Sequence, residues 1–267
     1  MTAPTTGLAA DAALAGDLVR EAGRLAARMR EGGLDAEQKT HVSDLVTAAD
    51  HAAERLVVER LTAERPDDGI VGEEGTDRAG TSGRAWVIDP VDGTYNFHRG
   101  LTWWCSAIAL VDGDDVLVGA IYHPHDDVLF VGGPDLPSTR NGVPMPRLED
   151  VALAETCATT YLHPPYDDRE RVDAFGRAAS GVATLRMMGS ASMDATAIAQ
   201  GQMGVSFQHG VADWDRLPGA AIIRGVGGEA RRTTAGGVVW AVAGAPTAVA
   251  EVCAALEGAE PPNRVIA

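Results

Sequence analysis

Residues 89–94, Asp-Pro-Val-Asp-Gly-Thr, limit what this chain can build more than any other stretch. An apolar run, Ala85 to Ile88, leads straight into two carboxylates three positions apart. Pro90 fixes its own φ and drives Asp89 out of helical geometry, so the chain leaves a sheet in a stiff turn with Asp89 and Asp92 at its tip. Gly93 lets backbone approach a ligand closely, and Thr94 is suited to open a short helix whose free N–H groups face the same point. Acids that hold a cation, beside amides that hold an anion, suit metal-assisted phosphate chemistry. Asp-Gly is equally a hairpin pair, but Tyr95-Asn96-Phe97-His98-Arg99-Gly100 lacks the alternation of a returning strand.

The 267 residues suffice for one large core or two half-sized lobes. Residues 8–31 read as an amphipathic helix stopped by Gly32-Gly33, and Thr47 as the N-cap of a second helix from Ala48 to Glu64. Gly69 to Gly72 is a short strand delivering Glu73-Glu74, and 75–84 a loop. After the acidic turn the texture is that of an antiparallel meander: strands at 103–111, 116–122 and 128–131, with a tight turn at Asn141-Gly142. From about residue 150 strands and helices alternate. Strands are expected at 154–161, 183–188, 205–207, 229–232 and 238–243. Helices are expected at 167–179, 190–200, 214–225 (despite Pro218) and 246–256. Such alternation implies sheets sandwiched by helices. Pro144 and Pro146 mark the best boundary, dividing a lobe 1–148 that carries the acidic turn from a lobe 149–267 that completes it.

A hydrophobic content of 45% with 22% charged residues is ordinary for a globular chain, and the absence of an 18-residue apolar run excludes a membrane span. The formal charge of −16 argues against nucleic-acid or anionic-membrane partners. Cys105, Cys157 and Cys253 fit neither a disulfide framework nor a zinc knuckle, and the N-terminus lacks a secretory pattern, which together point to a reducing cytoplasm.

Asp50, Glu73 and Asp215 join Asp89 and Asp92 as acids at element tips or helix starts. Helix-dipole compensation accounts for Asp50 and Asp215 taken singly, and a solvated loop accounts for Glu73. If all five converge, each pair about 4 Å apart repels by roughly 4 kcal/mol at an effective dielectric near 20. Only bound cations or protonation make that tolerable. The donors are all oxygen, which selects Mg²⁺ or Mn²⁺ over zinc.

In order along the chain, Val46-Thr47-Ala48-Ala49-Asp50, Gly72-Glu73-Glu74, Asp89-Pro90-Val91-Asp92-Gly93-Thr94, Gly189-Ser190-Ala191 and Trp214-Asp215 resemble the inositol monophosphatase family. The resemblance implies a layered α/β fold, the αβαβα sandwich of the inositol monophosphatase and fructose-1,6-bisphosphatase type, usually as a homodimer. It also implies Mg²⁺-dependent hydrolysis of inositol monophosphate or a similar small polyol or sugar phosphate. Carried over by motif, Glu73, Asp89 and the Val91 carbonyl would hold one Mg²⁺. Asp89, Asp92 and Asp215 would hold a second, and Glu73 a weaker third. Thr94 with Asp50 would orient and deprotonate a water. The Gly93 and Thr94 amides would bind phosphate, with Lys39 adding positive charge. Asp92, Gly189, Ser190, Ala191 and Gln208 would face the substrate. Gln208 stands where the family has a glutamate, so strict inositol specificity does not follow. Relatives acting on histidinol phosphate, fructose 1,6-bisphosphate or 3′-phosphoadenosine 5′-phosphate are alternatives, and Arg186 and Arg224 are the nearest candidates to hold an extra phosphate. A regulatory binding protein on the same scaffold is a further alternative.

Overall fold

The computed structural model describes residues 7–32, 36–38, 45–162 and 167–259; Lys39 lies outside them. Five layers alternate as helix, sheet, helix, sheet, helix. The outermost pair is α1 (Leu8–Glu31) and α2 (Ala48–Glu64), preceded by a small antiparallel pair, β1 (Ala36–Gln38) and β2 (Leu45–Thr47). Both helices have the expected bounds. α2 opens in a capping box, with the Thr47 hydroxyl accepting from the Ala49 N–H and the Asp50 carboxylate reaching back to the Thr47 N–H.

The first sheet comprises β3 (Gly69–Gly72), β4 (Asp77–Arg78), β5 (Arg84–Asp92), β6 (Cys105–Asp112), β7 (Asp115–His123), β8 (Val128–Gly133), β9 (Leu136–Arg140) and β10 (Val143–Pro144). Its order is β10-β9-β8-β7-β6-β5-β3-β4, antiparallel throughout except for the parallel β3–β5 pair. α3 (Thr94–His98) follows β5 directly, so the Asp-Gly pair starts a helix and not a hairpin. Period-two alternation decides which side chains face which layer. Trp86 and Ile88 pack with Ile108, Leu110, Leu18 and Leu61 under α1 and α2. Val87 points to the opposite face, and so does Asp89, two residues further on. The entry of β5 is pinned by buried charge: Arg84 donates to Asp11 (2.8 Å) and Asp68 (2.8 Å), and Trp86 Nε1 also donates to Asp68 (2.9 Å).

The second sheet comprises β11 (Cys157–Thr159), β12 (Thr184–Arg186), β13 (Val205–His209), β14 (Glu229–Ala235) and β15 (Val238–Gly244), in the order β12-β11-β13-β15-β14. One face carries Phe207 and Trp240 against α4 (Arg169–Ala179) and α7 (Pro246–Leu256). The other meets α5 (Ala191–Ala199) and α6 (Asp213–Gly225), which fill the middle layer and also touch the first sheet. Among the described residues no helix is long and apolar enough to cross a membrane, and Cys105, Cys157 and Cys253 are free thiols.

Three expectations needed correction. The strand at 154–161 shrinks to β11, because Leu153–Glu155 form a 3-10 turn. The loop 75–84 contains β4, a two-residue strand too short to show periodicity. β9 went unseen because Pro137, Ser138 and Thr139 give no apolar alternation; its pairing with β8 holds it extended.

The middle layer is held close by missing side chains. A Cβ on Gly119 of β7 would lie 2.3 Å from the Pro218 carbonyl oxygen and 2.8 Å from Ala221 Cβ, so α6 rests directly on the sheet backbone. Gly119→Ala is expected to lower the unfolding free energy by about 1–3 kcal/mol, as overpacking does. Urea denaturation measures it, and a change near zero would mean that α6 has room to move away.

Candidate active site

Parallel pairing sets the first acids side by side. Gly72 of β3 pairs with Ile88 of β5, and the Glu73 N–H donates to the Ile88 carbonyl (3.1 Å), so both strands deliver an acid, Glu73 and Asp89, at the same edge. The register with β6 breaks between Asp89 and Asp92, where Pro90 cannot donate a ladder bond. Asp89 Oδ1 accepts from the Val91 N–H (3.1 Å), which closes the turn. Gly93, at φ 94°, then bends the chain into α3, a left-handed conformation that a Cβ would oppose. Asp215, from the first turn of α6, reaches the same point: one oxygen each from Asp89, Asp92 and Asp215 lies within 4.8 Å of the others.

Three like charges at that spacing repel by roughly 3–4 kcal/mol per pair at an effective dielectric near 20. Burial, then the charges of Glu73, Asp92 and Asp215, pushes the Asp89 carboxyl well above the ordinary carboxylate range. Burial, followed by Asp92 and Glu73, does the same to Asp215. Asp92 is raised by burial against opposing hydrogen bonds from the start of α5, where the Ser192 N–H donates to Asp92 Oδ2 (2.5 Å). The oxygen-only donor set and its unrelieved repulsion fit a hard divalent cation.

Beside the cage, Thr94 Oγ1 lies 2.9 Å from the Val91 carbonyl and 3.2 Å from Asp50 Oδ1. Asp50 Oδ2 accepts from the Thr47 hydroxyl (2.5 Å) and N–H (2.9 Å). Burial raises the Asp50 carboxyl to about 6; these bonds oppose the rise and the charge of Glu74 adds to it.

Of the residues singled out in the sequence, Asp50, Glu73, Asp89, Val91, Asp92, Gly93, Thr94 and Asp215 meet in this one region. Gly189, Ser190 and Ala191 adjoin it as the lead into α5. Ser190 is the N-cap, its hydroxyl accepting from Met193 N–H (3.3 Å), and Asn96 Nδ2 ties the Met188 carbonyl (2.8 Å) to the turn. Gln208 and Ala191 line a cavity next to Asp215. Arg186 is exposed and bonds within its own strand, away from the cage partners.

Sequence reasoning missed Glu54 and Asp194. Glu54, one helical turn beyond Asp50, is buried and accepts from the Glu74 N–H (2.8 Å), the Thr76 N–H (3.2 Å) and the Thr76 hydroxyl (2.7 Å), which fixes the loop that carries Glu73. Its i+4 spacing from Asp50 was an available signal. Asp194 accepts from Trp103 Nε1 (3.0 Å), and burial raises its carboxyl to about 7. Nothing local in Met193-Asp194-Ala195 distinguishes it from a solvated helix acid.

A layered αβαβα sandwich with a carboxylate cage at the ends of paired strands defines a phosphoric monoester hydrolase. The family profile described as the inositol monophosphatase family matches residues 8–258, and the chain belongs to that family. An inositol-1-monophosphatase of Rhizobium meliloti strain 1021 is 32% identical over 200 residues, covering 73% of this chain and 74% of the relative. A fructose-1,6-bisphosphatase/inositol-1-monophosphatase of Thermotoga maritima is 28% identical over 194 residues, covering 72% and 73%. The crystal structure of extragenic suppressor protein SuhB from Bartonella henselae has the same fold, with a TM-score of 0.82 over 93% of this chain and 99% of that one at 24% identity.

Two expectations follow. Folded carboxyls with raised pKa bind more protons than unfolded ones above about pH 4, so metal-free stability falls as pH rises through the cage's titration. Chelator-treated protein should therefore have a lower urea midpoint at pH 8 than at pH 5. Asp89→Asn should flatten the slope, and an unchanged slope would contradict the cage electrostatics. Glu54→Ala leaves three donors without their acceptor and should cost roughly 2–4 kcal/mol. It should also weaken divalent-ion affinity about tenfold or more, since it orients the Glu73 loop. Calorimetric titration showing native affinity would remove Glu54 from that role.

Proposed function

We propose that the chain hydrolyses inositol monophosphate or a similar small polyol or sugar phosphate with two to three Mg²⁺ ions, Mn²⁺ being a possible substitute. One observation carries the reading: the Asp89–Asp92–Asp215 cage has the Thr94–Asp50 pair at its side. Glu73, Asp89 and the Val91 carbonyl would hold one ion, Asp89, Asp92 and Asp215 the second, and Glu73 a weaker third. Bound there, the ions supply an acidified water and charge neutralisation for the phosphoryl group and the leaving oxygen.

The chain's own groups do the rest. The Thr94 hydroxyl, donating its proton to Asp50 or the Val91 carbonyl, turns a lone pair outward and fixes the orientation of a water. Asp50, with a carboxyl near 6, is the base that takes the proton near neutral pH. The Gly93 and Thr94 amides at the opening of α3 would bind phosphate oxygens. Asp92 holds the start of α5 through Ser192, so it orients Ser190 and Ala191 toward the substrate side. Gly189, Gln208 and Lys39 complete the proposed substrate contacts. The halves 1–148 and 149–267 act as one catalytic unit, since Asp92 and Asp215 come from opposite sides of that boundary. A homodimer in a reducing cytoplasm, without nucleic-acid or membrane partners, is the proposed setting.

Phosphate release from a panel of polyol and sugar phosphates, with and without Mg²⁺, tests the reading. Activity should vanish with chelator and return with Mg²⁺, and Asp92→Asn should lower kcat/KM by about 10³ or more. Metal-independent turnover, or an active Asp92→Asn protein, would sink the proposal.

A further inference from the structure

Trp103 and Asp194 take no part in the chemistry derived above, yet they join the two halves of the chain close to it. Trp103 Nε1 donates to Asp194 Oδ1 at 3.0 Å, across the boundary at 148. Asp194 stands in the first turn of α5, in a run from Ser192 to Ala199 that is buried throughout. It lies outside the set Asp89, Asp92 and Asp215, whose oxygens meet within 4.8 Å. Burial and the charge of Asp92 oppose its ionisation, while the Trp103 indole and the Thr159 hydroxyl favour it. Removing a carboxylate from water costs several kcal/mol, so packing alone would favour an apolar residue at this position. The acid stands there for the bond it makes.

That bond closes a ring of contacts through Asp92. On one side, Asp92 of β5 is in register with Cys105 of β6, and Trp103 precedes Cys105 by two residues. On the other, Asp92 Oδ2 accepts from the Ser192 N–H (2.5 Å), and Asp194 follows Ser192 by two residues. The Ser192 contact alone is a pivot about which the head of α5 can turn. Trp103–Asp194 supplies a second fixed point and stops the turning.

The segment from which Trp103 reaches out is itself held on several sides. Asn96 Nδ2 donates to the Trp103 carbonyl (2.8 Å) as well as to the Met188 carbonyl (2.8 Å). His123 Nε2 of β7 lies 2.8 Å from the Thr102 carbonyl, and Arg30 of α1 donates to the Leu101 carbonyl (3.1 Å). Trp103 is thus gripped at its backbone by the first half and at its indole by the second. The junction is also crowded: a Cβ on Gly93 would lie 3.1 Å from the Gly189 carbonyl oxygen, from Ser190 Cβ and from the Trp103 carbonyl oxygen. A shift of α5 is therefore passed on to the turn that carries Asp92.

We propose that Trp103 and Asp194 are positioning residues for the cage: their bond fixes the head of α5, through it the Ser192 N–H, and so the direction in which Asp92 offers its carboxylate. The inference goes beyond the phosphatase reading and takes from it only the assignment of Asp92 as an ion ligand. Neither residue has to touch ion or substrate. A partner hydrogen-bonded to a ligating group changes metal affinity or activity by about 10–100-fold when lost, and this pair acts one bond further back.

Trp103→Phe keeps a ring and removes the donor, Asp194→Leu removes the acceptor, and Asp194→Asn keeps an acceptor oxygen without the charge. Calorimetric titration with Mn²⁺ reads the cage without turnover. Trp103→Phe and Asp194→Leu should each weaken Mn²⁺ binding about fivefold or more, and the double variant should match the poorer single one within about twofold. Asp194→Asn should stay within about twofold of the native protein. With inositol monophosphate and saturating Mg²⁺, the two damaging variants should lose about fivefold or more in kcat and keep KM within about twofold. Variants that lose urea stability but keep native Mn²⁺ affinity make the bond merely structural and overturn the inference. Losses that multiply in the double variant, or Asp194→Asn as impaired as Asp194→Leu, overturn it too. If Asp194→Leu does not fold, Trp103→Phe set against Asp194→Asn decides by the same limits. If the native protein binds Mn²⁺ but releases no phosphate, the phosphatase reading fails by itself and the Mn²⁺ affinities still decide this one. A native protein that binds no Mn²⁺ overturns both.

Discussion

Mutual repulsion among Asp89, Asp92 and Asp215 is the constraint around which the rest of the molecule is arranged. Three carboxylate oxygens within 4.8 Å cannot all be ionised in a buried setting without compensation. Part of the compensation comes from helix ends. Asp92 accepts from the first turn of α5, Asp215 sits in the first turn of α6, and Asp50 in that of α2. Each helix turns its partly positive N-terminus toward the region where acid accumulates. The helices hold the acids in place without neutralising them, and the remaining demand for positive charge is what a divalent ion meets.

The layer order follows from that demand. To aim α5 and α6 at one edge of the first sheet, both must lie between the sheets, and the space available is narrow. Gly119 removes the side chain that would lift α6 off β7, and Ala107, Ala109 and Ala221 keep the neighbouring contacts short. On the other face of the sheet large residues are permitted, and there Trp86, Ile88 and Leu110 fill the space under α1 and α2. One strand thus carries bulk on one side and chemistry on the other. Asp89 falls on the chemical side because it is two residues from Val87.

Much of this was legible in the residues. The stiff Asp-Pro-Val-Asp turn, the Thr47 cap and the bounds of α1, α2 and α7 are local matters, settled by φ restriction, capping and apolar period. The convergence of acids was expected only as a consequence of resemblance. Local evidence explained Asp50 and Asp215 equally well as dipole partners, and both explanations hold in the structure, since Asp50 closes a capping box and also faces Thr94. What stayed hidden depended on distant partners. Glu54 matters because β3 brings the 74–76 backbone to it, and β9 is a strand because β8 lies beside it. Arg232 shares a cross-strand row with Gln208 through register across three strands, a relation that no local window of sequence contains.

The two sheets carry different burdens, and this bears on how such a scaffold changes its substrate. Cage residues from the first sheet are held by one another: moving Asp89 disturbs the Val91 turn, and moving Asp92 disturbs the start of α5. Substitution there is felt through several hydrogen bonds at once. The inner face of the second sheet is built differently. Ser206, Gln208, Ala241 and Ala243 project toward the layer of α5 and α6, while the aromatic packing around Phe207 and Trp240 lies on the opposite face. An exposed position on the sheet's outer strand, such as Arg232, can be exchanged with little consequence for the core, because surface positions away from caps and buried networks shift stability by only about 0.5 kcal/mol or less. The cage therefore joins the rigid edge of the first sheet to the first turn of α6, where a substitution disturbs several partners at once.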